Sequence, residues 1–185
     1  MQRVDTGYAF MPALLDTTGL WKYPKFKDIV TDLPGFLKKY PNVLKAIAYY
    51  TGFSEAQVKQ MMQPGKGPKV VVVHNLVDGY GLPVLGHYYP VTRTPQIRES
   101  YVLGLDAANL PKVYQATGLL LAITTFHEFV HYGRDVNRLS YLYYDPETHN
   151  SGEAGTFFEM NINPYGNDMG ANNAIQWIKF YLYNF

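Results

Sequence analysis

The chain contains no cysteine. Disulfides and thiolate metal ligands are therefore excluded, and a metal could be held only by histidine, carboxylate or other oxygen ligands. Charge is also scarce: 17% of the residues are charged and the formal net charge is +1. There is no dominant basic run, so neither nucleic acid nor an anionic membrane surface is expected as the main partner. No charge-free apolar stretch reaches the roughly 18 residues that a membrane-spanning helix needs. Met1-Gln2-Arg3-Val4-Asp5 carries an acid and no long apolar core follows it, so no signal peptide is read. With 185 residues, 47% of them apolar, the chain can fill one core. We expect a single domain over 1–185, with 1–22 as a linker or strap. Tyrosine is plentiful, with 17 copies, which suits packing and interfaces alike.

Gly7, Pro12 and Gly19 break any period in the first 20 residues. From Tyr23 to Met62 the pattern is helical, with Pro24 opening one helix and Pro34 another. Pro41–Tyr50 reads as a helix closed by Gly52, and Ser54 caps Glu55–Met62. Pro64-Gly65-Lys66-Gly67-Pro68 is a turn that lacks the spacing of a phosphate-binding loop. Lys69–His74 reads as a strand, and Ser100–Asp106 as a second. Between them, 78–98 reads as turns with one hairpin. A long helix starts near Asn109, with Pro111 in its first turn, and runs to Tyr132 with Gly133 as its stop. Arg134–Ser151 reads as a loop, Gly152–Asn161 as a short helix, and Ala171 to Tyr183 as a last amphipathic helix. In that last helix Ile175, Ile178 and Leu182 are core candidates, with Trp177 at the margin.

The chemistry lies at the end of the long helix. His127-Glu128-Phe129-Val130-His131 spells H-E-x-x-H after the apolar run Leu119–Phe126. Side chains four apart share a helix face, so both imidazoles can serve one zinc ion while Glu128 reaches a water as general base. In zinc peptidases of this kind an edge strand beside the helix commonly aligns the substrate by strand addition, a role open to either predicted strand.

A catalytic zinc usually takes three protein ligands and keeps one position open. The extended metzincin motif needs Gly at position 134 and His at 137; Arg134 and Asn137 stand there, which excludes that class. A later carboxylate is the alternative. Glu159 is favoured because Phe157 and Phe158 beside it imply burial, where a carboxylate needs a partner. Glu153 is the backup, its plainer reading being a first-turn acid at a helix start. Asp145, Asp168 and His149 are remoter choices, and His149 and His74 are expected to be ordinary histidines. Tyr132, Arg134 and Tyr165, with Tyr141, Tyr143 and Tyr144, are candidate oxyanion or substrate donors.

Taken together, Thr125-Phe126-His127-Glu128-Phe129-Val130-His131-Tyr132-Gly133, Leu33–Lys38, Thr51–Val58, Gly65–Lys69, the Gly155-x-x-Phe158-Glu159 element and Tyr165-Gly166 resemble the third family of metallopeptidase toxin domains of bacterial polymorphic toxin systems. The resemblance implies a zincin-like α+β fold with N-terminal helices, a small mixed sheet, the central motif helix and C-terminal helices. It implies a zinc endopeptidase in which Glu159 completes the metal site. It also implies an effector module of a larger exported protein, delivered into a target cell, with a protein or peptide substrate and a cognate immunity protein. Two alternatives stand beside it: a zinc-stabilised protein-binding module without catalysis, and a zinc hydrolase of a non-peptide amide.

Overall fold

The computed structural model describes residues 18–163 and 165–181. Residues 1–17, most of the expected linker or strap, lie outside them. The architecture is α+β, with seven helices and two small sheets among the described residues.

Most of the fold packs on one helix, α5, Pro111–Val136. Pro111 sits in its first turn, where a missing N–H costs nothing. Its 26 residues span about 39 Å at 1.5 Å per residue. It is buried from Leu119 to Phe126 without interruption, because it is surrounded. The N-terminal helices α1 (Pro24–Lys39) and α2 (Pro41–Thr51) pack on it, as do α4 (Glu99–Ala107), α6 (Ala154–Ile162) and α7 (Ala174–Trp177). Strands β2 (Gly86–Tyr89) and β3 (Thr94–Arg98) cover another side. A helix enclosed in this way is apolar all round. Helix α3 (Glu55–Met61) packs on α2 and starts with a capping box between Ser54 and Gln57. No described helix is long and apolar enough to cross a membrane.

The main sheet is mixed, in the order β1-β3-β2, with β1 at Val71–Val73. β1 runs parallel to β3, and β2 pairs with β3 antiparallel, Gly86 opposite Ile97 and Tyr88 opposite Pro95. β2 is thus the edge strand against α5. A second pair, β4 (Leu142–Tyr144) and β5 (Ser151–Glu153), forms a hairpin: β4 falls in the stretch expected to be loop, while β5 takes Gly152 and Glu153 from the expected helix, which starts instead at Ala154.

Several expectations are corrected. Ser100–Asp106 is not a strand but lies within α4, with Val102 and Leu105 buried on one helical face and Leu103 exposed; short apolar runs do not reveal their period. Neither predicted strand therefore lies beside the motif; β2 does. Pro34 does not start a helix. It lies inside α1, flanked by the buried Leu33 and Phe36 that hold the helix to the core. Gly133 does not stop α5, which continues to Val136. A Cβ at Gly133 would come within 2.4 Å of Thr51 Cβ, so that glycine serves the crossing with α2. The last helix is only Ala174–Trp177; Trp177 is fully buried, Ile175 is half exposed, and Leu182 lies outside the described residues.

Candidate metal and catalytic site

Helix α5 puts His127 and His131 one turn apart, ring centroids 5.2 Å from each other. Facing them is the junction of β5 and α6. Glu153 is both the last residue of β5 and the N-cap of α6, and its carboxylate accepts the backbone N–H of Gly155 and Thr156. The same carboxylate reaches His127 Nε2 at 3.1 Å and also contacts His131 Nε2. Ligand atoms of His127, His131 and Glu153 all lie within 4.8 Å of one another. Gly155 permits this approach, since a Cβ there would stand 2.5 Å from the His127 ring.

Glu159, expected at the metal, is instead behind His127. Its Oε1 lies 2.7 Å from His127 Nδ1, and its Oε2 accepts the Met169 backbone N–H at 2.6 Å. His127 is therefore held at both nitrogens by carboxylates on opposite sides. His131 Nδ1 is buried without a hydrogen-bond partner among the described residues.

Glu128 is buried against strand β2. Gly86 lets β2 come this near: a Cβ there would stand 2.4 Å from Glu128 Oε1 and 2.6 Å from Thr124 Cγ2. Burial pushes the Glu128 carboxyl up to about 8; the His127 charge opposes this, while Glu153 and Glu159 add to it. Burial acts to lower the pKa of His127, but hydrogen bonds to Glu153 and Glu159 raise it well above the ordinary range. Burial prevails at His131, whose pKa is lowered despite its contact with Glu153. Burial also acts to raise the Glu153 carboxyl, but the two histidines hold it far below the usual carboxylate range.

These groups line one cleft of about 420 Å³, whose other walls include Gly86–Tyr88, Thr124, Tyr141, Asp78 and Asp168. Of the expected donors, Tyr141 is in this cleft, stacked on the His131 ring with centroids 4.5 Å apart. Tyr132 faces away, against Phe53 and Phe129. Arg134 is buried and donates to the carbonyls of Tyr50, Ser140 and Leu142, which ties the hairpin to α2. Tyr165 is exposed beside Phe180. Tyr143 hydrogen-bonds Tyr49, and Tyr144 hydrogen-bonds His149. Asp145 caps its own turn, and His74 pairs with Glu99 at the surface. Gly86 and Tyr88 were not singled out in the sequence. Nothing local to 78–98 signals that this segment meets the motif helix.

The donor set fits a divalent metal. Two imidazole nitrogens and one carboxylate face a common point, and the cleft leaves a further position open. No curated protein and no solved structure matches the chain. Residues 21–166, well over half of the chain, match the family described as metallopeptidase toxin 3. The chain belongs to that family, and with it to the metal-dependent peptidase toxins.

Proposed function

We propose that the protein is a zinc-dependent endopeptidase, the toxic effector module of a larger exported bacterial protein. The observation that carries this reading is the meeting of His127, His131 and Glu153 at one point, with the buried Glu128 beside it at the wall of an open cleft. His127, His131 and Glu153 would hold the metal. Glu159 would fix the orientation and tautomer of His127 from behind, as outer carboxylates do for metal-bound histidines. Zinc held there would supply Lewis acidity toward a carbonyl oxygen and a lowered pKa for water.

The remaining chemistry belongs to the chain. Glu128 accepts a proton from the water that attacks the scissile carbonyl carbon. It then passes that proton to the amine nitrogen as the C–N bond breaks. Tyr141 is the donor placed to stabilise the charge that grows on the carbonyl oxygen. Partial burial and the nearby Glu153 and Glu128 carboxylates push its phenol up to about 12, so it keeps its proton. The free edge of β2 offers backbone groups to an extended peptide, which suits a protein substrate. Delivery into a target cell and protection of the producer by an immunity protein are the biological setting that this family membership suggests.

Glu128→Gln tests the reading. The variant keeps every proposed ligand, so zinc per chain equals that of wild type. Cleavage of a mixed-protein substrate and growth arrest on expression in a sensitive bacterium are both lost. Equal toxicity and cleavage in the variant would overturn the proposed chemistry. Zinc in both proteins with growth arrest by both and cleavage by neither would favour a binding module.

A further inference from the structure

Serine, threonine, aspartate and asparagine are the usual helix caps, because a short side chain reaches back to the first N–H groups. Helix α6 is capped by a glutamate, Glu153. The longer side chain brings one carboxylate to two places at once, the opening N–H groups of α6 and the imidazoles of α5. The cap is also unequal on its two oxygens. Oε1 accepts one hydrogen bond, from the Gly155 N–H at 2.7 Å. Oε2 accepts two, from the Thr156 N–H at 3.0 Å and from the Thr156 hydroxyl at 2.9 Å.

A carboxylate has about four lone-pair sites, two on each oxygen. Thr156 alone therefore fills Oε2, while Oε1 keeps one site for a further partner. Proximity to the imidazoles does not separate the oxygens: Oε1 contacts His131 Nε2, and Oε2 lies 3.1 Å from His127 Nε2. The hydrogen bonds do separate them. Thr156 is half-buried in the wall of the same cleft, and its hydroxyl gives its only proton to Oε2.

We propose that Thr156 is a positioning residue for the metal site: by occupying Oε2 it leaves Oε1 as the one oxygen of Glu153 that binds zinc. The inference rests on the reading above that Glu153 is a ligand. One carboxylate oxygen and two imidazoles make three protein donor atoms, the number a catalytic zinc takes while a fourth position stays open for water. A carboxylate bound through both oxygens would bring the protein donors to four and crowd that position. The Thr156 hydroxyl thus keeps the place where water and the substrate carbonyl meet the metal.

The experiment puts cobalt in place of zinc in the full chain, because cobalt's visible bands are strong at a four-coordinate site and weaken as a further donor joins. Thr156→Val removes the hydroxyl and keeps the shape and the backbone N–H. Thr156→Ser keeps the hydroxyl. Wild type and Thr156→Ser show the strong bands of a four-coordinate site. In Thr156→Val the bands weaken severalfold and shift, as the freed Oε2 joins Oε1 on the metal. Identical bands in wild type and Thr156→Val overturn the inference. Equal weakening in Thr156→Val and Thr156→Ser also overturns it, since the helix start and not the hydroxyl would then set the geometry. Weak, higher-coordinate bands in wild type overturn it without any variant, so the outcome does not depend on Thr156→Val folding. Wild-type bands in Glu153→Gln are a separate failure, that of Glu153 as a ligand.

Discussion

Glu153→Gln separates the two carboxylates that flank His127. Glu153 meets Nε2 of both imidazoles, whereas Glu159 meets only Nδ1 of His127 and the Met169 amide. Glutamine at 153 keeps the shape but removes the negative charge, and an amide oxygen is a weak zinc ligand. Dividing about 10–16 kcal/mol of structural zinc binding among four ligands assigns about 2.5–4 kcal/mol to each. That corresponds to about two to three orders of magnitude in affinity. Glutamine at 159 can still accept the His127 Nδ1–H, so its cost belongs at the lower end of the roughly 10–100-fold range for outer partners. Zinc competition against a fluorescent chelator at neutral pH measures both. Cobalt substitution adds a second readout: the visible absorption bands report the atoms bound to the metal, so they change in Glu153→Gln and stay in Glu159→Gln. Zinc kept by Glu153→Gln and lost by Glu159→Gln would refute the reasoning and return Glu159 to the metal.

The metal-free chain has a pH dependence of definite sign. Glu128 has a raised pKa of about 8 when folded, so its contribution is fully present below its unfolded value of about 4.3 and is lost as pH climbs toward 8. Glutamine does not titrate, so in chelator the thermal midpoint of Glu128→Gln gains on that of wild type between pH 5 and pH 8, by up to a few kcal/mol in stability; a constant difference would contradict the buried carboxyl. Arg134→Ala removes the donor from the Tyr50, Ser140 and Leu142 carbonyls, which costs about 3 kcal/mol in denaturant unfolding. It also weakens zinc binding, because the freed hairpin carries Glu153; unchanged zinc affinity would show that the hairpin needs no such tie.

His127, Glu128 and His131 were readable because helical spacing is a local property and the apolar run before them is long. The α+β class with a small mixed sheet was an implication of the family resemblance, and the structure has both. Ser100–Asp106 reads as a strand yet lies within α4, because a short apolar run fits both periods until its neighbours choose. The argument that Glu159 is buried and must have a partner holds, but its partners are His127 Nδ1 and the Met169 N–H. Glu153 does cap a helix start, as its plainer reading had it, and that same position turns its carboxylate toward both imidazoles.

The sequence by itself determined the helix that carries the motif, the spacing of its two histidines and the place of the glutamate between them. Tertiary structure decided which carboxylate meets them, which strand flanks them and which tyrosine stacks over them. Periodicity is written into neighbouring residues and can be read along the chain. The meeting of β2, α5 and the β5–α6 junction depends on contacts such as Gly86 against Glu128 and Gly155 against His127, where the lack of a side chain lets remote segments close to within hydrogen-bonding reach.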